Sequence, residues 1–398
     1  MKSLLVGLLG LSLICPTAFG AAFEWGERHT SFEPAFAEQF RAPVRDSSVS
    51  AEFKTLAQGL DQPWGVDALP GGNGLLLTEL SGQLRHLSMS GQLSEPIAGV
   101  PEVLFEGQGG LLDVAVSPRF DRDRTVYLSY SKPLDDGMTA TAVARGRLSA
   151  DRRRLDEVTD IFVQEPPSPT AKHFGSRIVF SGDGNLFITT GEHFTLEERQ
   201  LSQDKSTTYG KVVRLRPDGS APPDNPFVGD PDARDSIWST GHRNVQGAAV
   251  DANGALWTIE HGPQGGDELQ RPQAGENHGW PLVSYGERYS GEPVGTGEAR
   301  APGITEPVYF WDPVIAPGGA AFHHGEMFGS WNGDLLISAY VAKGLVRLEI
   351  GDDGRVAGEE RLFRELGGVR DVHVLRDGSL IVLTDAAPGR VVHIVETR

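Results

Sequence analysis

Short apolar runs along this chain come in pairs, each pair joined by a polar turn rich in Gly, Asp and Asn, and the pattern returns six times. The copies are WGVDALPGGNGLLLTEL from Trp64, LLDVAVSPRFDRDRTVYLSY from Leu111 and SRIVFSGDGNLFITTG from Ser176. They continue with VQGAAVDANGALWTIE from Val245, GGAAFHHGEMFGSWNGDLLISAY from Gly318 and VRDVHVLRDGSLIVLTD from Val369. Alternating apolar residues around turns such as Asp183-Gly184-Asn185 or Asp377-Gly378 predict two strands and a hairpin in each copy. One hairpin cannot bury both its faces, so six such units at roughly 50–70-residue spacing predict sheets stacked around a centre. The expected fold is all-β: a six-bladed β-propeller with four-stranded antiparallel blades and its active site in the loops at one mouth of the central channel.

Composition agrees. The 50 glycines and 26 prolines suit a protein of strands and turns. Residues 1–20 read as a secretory signal peptide. Lys2 precedes the apolar stretch Leu4 to Ile14, and Ala18-Phe19-Gly20 stands before a cut ahead of Ala21. A lipid anchor on Cys15 needs a small residue before it, and Ile14 occupies that place. Cys15 is the only cysteine, so the exported chain, periplasmic or secreted, has no disulfide. Residues 21–52 are polar and irregular, with Phe23, Trp25, Phe32 and Phe36 as anchors, and are expected to lie against the propeller of residues 53–398. No later segment approaches the ~20 apolar residues of a membrane helix. A net charge of -18 argues against nucleic acid and anionic membrane surfaces, and for a compact neutral substrate.

The long connections carry the chemistry. Arg243 and Asn244 stand immediately before an apolar strand. After it comes His261-Gly262-Pro263-Gln264-Gly265-Gly266-Asp267-Glu268, whose free carbonyls and nearby carboxylates suit Ca²⁺, or a plain connection with solvated acids. His173, just before the third repeat, is either a general base at the mouth or a structural histidine. Gln108 lies among glycines before the second repeat, and Lys343 and Arg370 add cations from two further repeats. In a closed ring these places converge on one end of the axis. They form a cationic pocket around one histidine, suited to a ligand with several carboxylates. Asp183-Gly184-Asn185 lacks the closing glutamate of a calcium loop, and the adjacent His323 and His324 point to opposite faces of a strand.

Taken together, EGQGGLLDV, HFGSRIVF, YGKVVRLRPDGSAPPDNPF, GHRNVQG, EHGPQGGDE, NHGWP and RDVHV resemble the soluble quinoprotein glucose/sorbosone dehydrogenase family, in particular its periplasmic aldose sugar dehydrogenase branch. The similarity runs from about Leu60 to Ile394. It implies a propeller that holds pyrroloquinoline quinone (PQQ) and Ca²⁺ and oxidises aldoses at C1 to lactones, passing electrons to an acceptor not identified by the sequence. By the same resemblance, His173 is the catalytic base, Glu192 orients it, and Arg243 steadies charge on the quinone. Gln108, Arg243, Asn244, Lys343 and Arg370 hold the cofactor. The carbonyls of Gly262 and Pro263 bind the cofactor-side Ca²⁺, and Glu268 and the His278 carbonyl bind a second one. Two positions depart from the family pattern: Gly368 replaces the first arginine of an Arg-x-Arg pair, and His278 stands where relatives often carry tyrosine. Trp280, Tyr285 and Trp311 are candidates for stacking on a sugar. A calcium-dependent lactonase and a non-catalytic binding propeller remain as alternatives, as do monomer and homodimer.

Overall fold

The computed structural model describes residues 23–397, so the expected signal peptide lies outside the described residues. Six antiparallel sheets surround a central channel. Blade 1 consists of Pro63–Ala68, Leu75–Glu79 and Gln83–Leu87, and blade 2 of Leu111–Val116, Thr125–Pro133, Thr139–Leu148 and Leu155–Val163. Blade 3 is Gly175–Phe180, Leu186–Thr190, Val212–Leu215 and Ile237–Ser239; blade 4 is Val245–Val250, Leu256–Glu260, Asp267–Gln270 and Tyr309–Trp311. Blade 5 is Pro317–Phe322, Leu335–Ala339, Leu345–Ile350 and Val356–Leu362. Blade 6 takes Val369–Val374, Leu380–Thr384 and Gly389–Glu396 from the end of the chain and its outer strand, Ala51–Leu60, from the beginning. That pairing closes the ring: Ala51 lies opposite Glu396 and Leu60 opposite Gly389.

The first strand of every repeat is the innermost strand of its blade, and each inner strand touches the next around the circle. Each hairpin is buried on both sides, because blades stack face to face. In blade 4, Leu256 packs with Phe187 and Val212 of blade 3, while Trp257 and Ile259, on the other face, pack with Ile337 and Val346 of blade 5. Such two-sided burial explains why the second strands read as nearly continuous apolar runs. Blade 1 has three strands rather than four. After Leu87 the chain makes an isolated bridge at Leu93 and a few backbone hydrogen bonds back to Leu84 and His86. It then crosses to the outer edge of blade 2, where Ala98 N–H donates to the Arg153 carbonyl and the Ala98 carbonyl accepts from Leu155 N–H. Pro96 in this stretch has no N–H to donate to a ladder.

Inside the channel, one guanidinium joins several blades. Arg177 Nη1 donates to Asp113 Oδ1 (2.8 Å) and Asp371 Oδ2 (3.3 Å), and its Nε donates to the Gln246 carbonyl (3.1 Å). Its guanidinium carbon lies 4.6 Å from the centroid of the Trp64 ring. Residues 23–50 run along blades 4 and 5. His29 and Thr30 N–H groups donate to the Asp312 carboxylate, Phe40 stacks on Phe310 at 4.7 Å, and Arg45 pairs with Glu349. Asp183 closes an ordinary hairpin turn by accepting from Asn185 N–H. His323 is buried and His324 exposed, at the mouth opposite the start of the inner strands, beside a cleft of about 900 Å³.

Candidate functional site

The residues singled out from the sequence gather at the end of the channel where the inner strands begin. Gln108, His173 and Arg243-Asn244 directly precede the inner strands of blades 2, 3 and 4, and Arg370 lies at the start of that of blade 6. Glu192, Gly262-Pro263 and Lys343 follow the second strands of blades 3, 4 and 5, which antiparallel pairing returns to the same end.

His173 sits in a left-handed backbone conformation (φ 48°) and is 5% exposed. Its N–H donates to Gln108 Oε1 (2.8 Å), and Gly191 passes so close that a Cβ there would lie 1.7 Å from the His173 carbonyl oxygen. Nδ1 faces Glu192 Oε1 at 3.2 Å, so the carboxylate accepts, Nδ1 carries the proton and Nε2 keeps its lone pair. Burial first, then the nearby Arg243 charge, hold the imidazole below its ordinary pKa, against the pull of Glu192. For Glu192, burial would raise the carboxyl, but His173 and Arg243 overcome it and keep it low. Phe194, edge-on to the His173 ring at 5.1 Å, completes the wall.

Arg243 is 3% exposed. Its Nη1 donates to the carbonyls of His261 (2.9 Å) and Gly262 (2.8 Å), its backbone N–H donates to Glu260 Oε2 (2.5 Å), and its Nε is buried without a partner. Glu260 Oε1 in turn accepts from His242 Nδ1 (3.0 Å), whose Nε2 accepts from the Ser239 hydroxyl (2.8 Å). Asn244 Oδ1 accepts from Gly175 N–H (3.1 Å) and Gln246 Nε2 (3.3 Å), which turns its NH₂ group toward the remaining space. Lys343 is exposed, in a left-handed turn (φ 63°). Arg370 makes a two-point pair with Asp385, at 3.1 Å to each oxygen.

Blade 4 supplies the oxygen-rich part. Gly262 and Pro263 border a small cavity of about 20 Å³, together with Glu260, Glu268, His278 and Trp280. Burial and the repulsion of Glu260 and Glu306 hold the Glu268 carboxyl well above its ordinary range. The His278 ring bonds Gln270 through Nδ1 (2.8 Å) and stacks on His242 at 4.7 Å. Asp267 accepts from the N–H groups of Gly262, Ile315 and Ala316, each at 2.8 Å, and so ties this loop to the turn before blade 5.

The expectation of sugar-stacking aromatics needs correction. Tyr285 is 0% and Trp311 1% exposed; their polar atoms are consumed by Glu306 and Glu359. Trp280 is also nearly buried, with Arg199 and Arg243 each 5.3 Å from its ring. The exposed aromatics at this mouth are instead Phe105, Tyr289 and Tyr340. Tyr340 explains Gly368: a Cβ at Gly368 would lie 2.5 Å from Tyr340 Cδ2, so the ring occupies the space an arginine side chain would enter. Arg199, Glu260 and Asp385 are site residues that the sequence reading missed. Glu260 had a signal, an acid ending the apolar run LWTIE, whereas the other two had none.

Comparison with known proteins follows the same lines. The family model described as glucose/sorbosone dehydrogenase matches residues 60–393. The aldose sugar dehydrogenase YliI of Escherichia coli is 42% identical over 349 residues, covering 87% of this chain and 93% of that protein. The apo-form crystal structure of the soluble aldose sugar dehydrogenase from Escherichia coli superposes with a TM-score of 0.83 at 40% identity, over 86% of this chain and 99% of that one. The PQQ-bound aldose sugar dehydrogenase of Streptomyces coelicolor gives 0.73 at 27% identity, over 89% and 100%. The chain therefore belongs to the glucose/sorbosone dehydrogenase family.

Proposed function

We propose that this protein is an exported aldose dehydrogenase that uses PQQ and Ca²⁺ to oxidise the anomeric carbon of sugars to lactones. The observation that carries the reading is the His173–Glu192 pair, buried and tautomerically set, beside a guanidinium with an unpartnered buried Nε. The residues suit both groups. Arg243, Asn244, Lys343 and Gln108 offer donors from three blades to a ligand with several carboxylates, and Arg370 joins them from a fourth with its charge shared by Asp385. The carbonyls of Gly262 and Pro263 are hard oxygen donors. A cation at the Gly262 carbonyl would compete with one of the two hydrogen bonds of Arg243 Nη1. Glu268, raised by burial and by its acidic neighbours and bordering a cavity the size of one ion or water, would be relieved by a second cation held with the help of the His278 carbonyl.

When bound, PQQ activated by Ca²⁺ supplies the acceptor for the hydride that leaves C1. The chain does the rest. His173 Nε2 takes the proton of the C1 hydroxyl, and Glu192 stabilises the imidazolium that results. Arg243 places positive charge where negative charge develops, inside a wall that excludes water. His173→Ala is expected to abolish dye-coupled oxidation of glucose by protein reconstituted with PQQ and Ca²⁺, while the absorbance change on PQQ binding persists. Turnover near the wild-type rate in that variant would sink the assignment of the base.

A further inference from the structure

Beside the pocket, loops of blades 3 and 4 build a second recess. Arg199, on the short turn Glu198–Ser202, and Arg288, in the long connection of blade 4, line a cleft of about 120 Å³ with Pro281, Leu282, Val294 and Thr296. Among the described residues, neither guanidinium lies within ion-pair distance of a buried acid. Arg199 donates Nη2 to the Phe194 carbonyl (2.8 Å) and Nε to that of Thr195 (3.2 Å), and is in ion-pair contact with no carboxylate among the described residues. Arg288 meets Glu292 at 3.3 Å, but that acid is 67% exposed, so solvent screens the pair, and Arg288 Nε is buried without a partner. Two guanidinium groups side by side are conspicuous in a chain of net charge -18. They are also close to the chemistry. The charge of Arg199 is felt at His173 and Glu192, and Arg199 and Arg243 share the Trp280 ring.

We propose that the Arg199–Arg288 cleft is a subsite for an anionic substituent on the sugar, so that the preferred substrates are charged aldoses bearing a carboxylate or a phosphate ester remote from C1. The inference rests on the dehydrogenase reading above and narrows its substrate class. A guanidinium presents two parallel N–H groups that match a carboxylate or phosphate edge. The apolar wall of Pro281, Leu282 and Val294 strengthens such a pair by displacing water. A neutral hexose leaves Arg199 without an ion-pair partner and Arg288 with only the solvent-screened Glu292.

The test compares glucose, glucuronate and glucose 6-phosphate as substrates of the PQQ- and Ca²⁺-loaded protein, in wild type, Arg199→Gln, Arg288→Gln and Arg288→Glu. Calorimetric titration of the same three sugars into the full chain gives a readout independent of turnover. At least one charged aldose is expected to exceed glucose in kcat/KM by about tenfold or more, the usual scale for a charge-assisted hydrogen bond. The ratio should collapse toward unity in both Gln variants and invert in Arg288→Glu, with the calorimetric Kd moving in parallel. Preference for glucuronate alone assigns a carboxylate; preference for glucose 6-phosphate alone assigns a phosphate ester. Equal kcat/KM for charged and neutral sugars in wild type, or a preference that survives both Gln variants, overturns the proposal. So does a loss of PQQ affinity in the variants without a change in the ratio. Binding of a charged sugar with no oxidation of any aldose would leave the cleft standing and sink the dehydrogenase reading; oxidation of glucose without charge preference would do the reverse.

Discussion

His173 is useful as a base only while neutral, and its surroundings keep it so. Desolvation and the Arg243 charge lower its pKa below the ordinary 6.5, and Glu192 only partly offsets them. Base catalysis requires the deprotonated form, so the rate rises with pH through a midpoint displaced to the acid side. The acid limb of the kcat/KM profile is expected to have its midpoint below 6.5, and Arg243→Gln should move that midpoint upward by removing the repulsion. A wild-type midpoint at or above the ordinary value, or a downward move in the variant, would contradict this account. Types and positions of His173, Gln108, Arg243 and Asn244 were readable in the chain because each sits at the entry to a recognisable strand. Arg199 and Asp385 were not readable, because nothing local separates them from surface charges.

At the scale of elements, the site depends on how loops of neighbouring blades are fastened. Asp267, fully buried, receives three backbone N–H groups and couples the Gly262-Pro263 loop to the Ile315-Ala316 turn. That turn in turn accepts the N–H groups of Tyr340, Val341 and Ala342, which precede Lys343. One carboxylate thus fastens both the Gly262-Pro263 loop and, through the Ile315-Ala316 turn, the segment leading to Lys343. Asp267→Ala strands three buried donors, each costing about 1–3 kcal/mol, so a loss of about 3 kcal/mol or more is expected in denaturant unfolding. A loss under about 1 kcal/mol would mean that water or a rearranged loop replaces the carboxylate. From the sequence, Asp267 stood out only as a member of an acidic Gly-rich loop. Its three partners come from two segments nearly fifty residues apart, as the spacing of Asp267 from Ile315 shows.

For the whole molecule, the channel centre sets a pH dependence of stability. Burial pushes Asp113 up to about 7 from an ordinary 3.8, against the pull of Arg177 and with the support of Asp371. Between those two values the folded chain binds more protons at this position than the unfolded chain. Its contribution to stability is therefore fully present below 3.8 and is lost as pH rises through about 7. Asp113→Asn removes the titration, so its stability relative to wild type should improve from pH 5 to pH 8, measured by thermal unfolding of both proteins. A gap that stays constant or widens would show that the cluster does not hold the proton.

Local pattern was enough for the hairpins, their number and the end of the channel at which the polar loops gather, because strand alternation and turn chemistry are short-range properties. It was also enough to list most of the pocket. Closure of the ring by Ala51–Leu60 against Gly389–Glu396, the missing fourth strand of blade 1 and the burial of Tyr285 and Trp311 were decided only in three dimensions. The pairing of Arg370 with Asp385, the Tyr340 ring in the space above Gly368 and the neighbouring arginines 199 and 288 belong to the same group. Each depends on residues brought together from different blades or from opposite ends of the chain, and such contacts leave no periodic trace in the segments that make them.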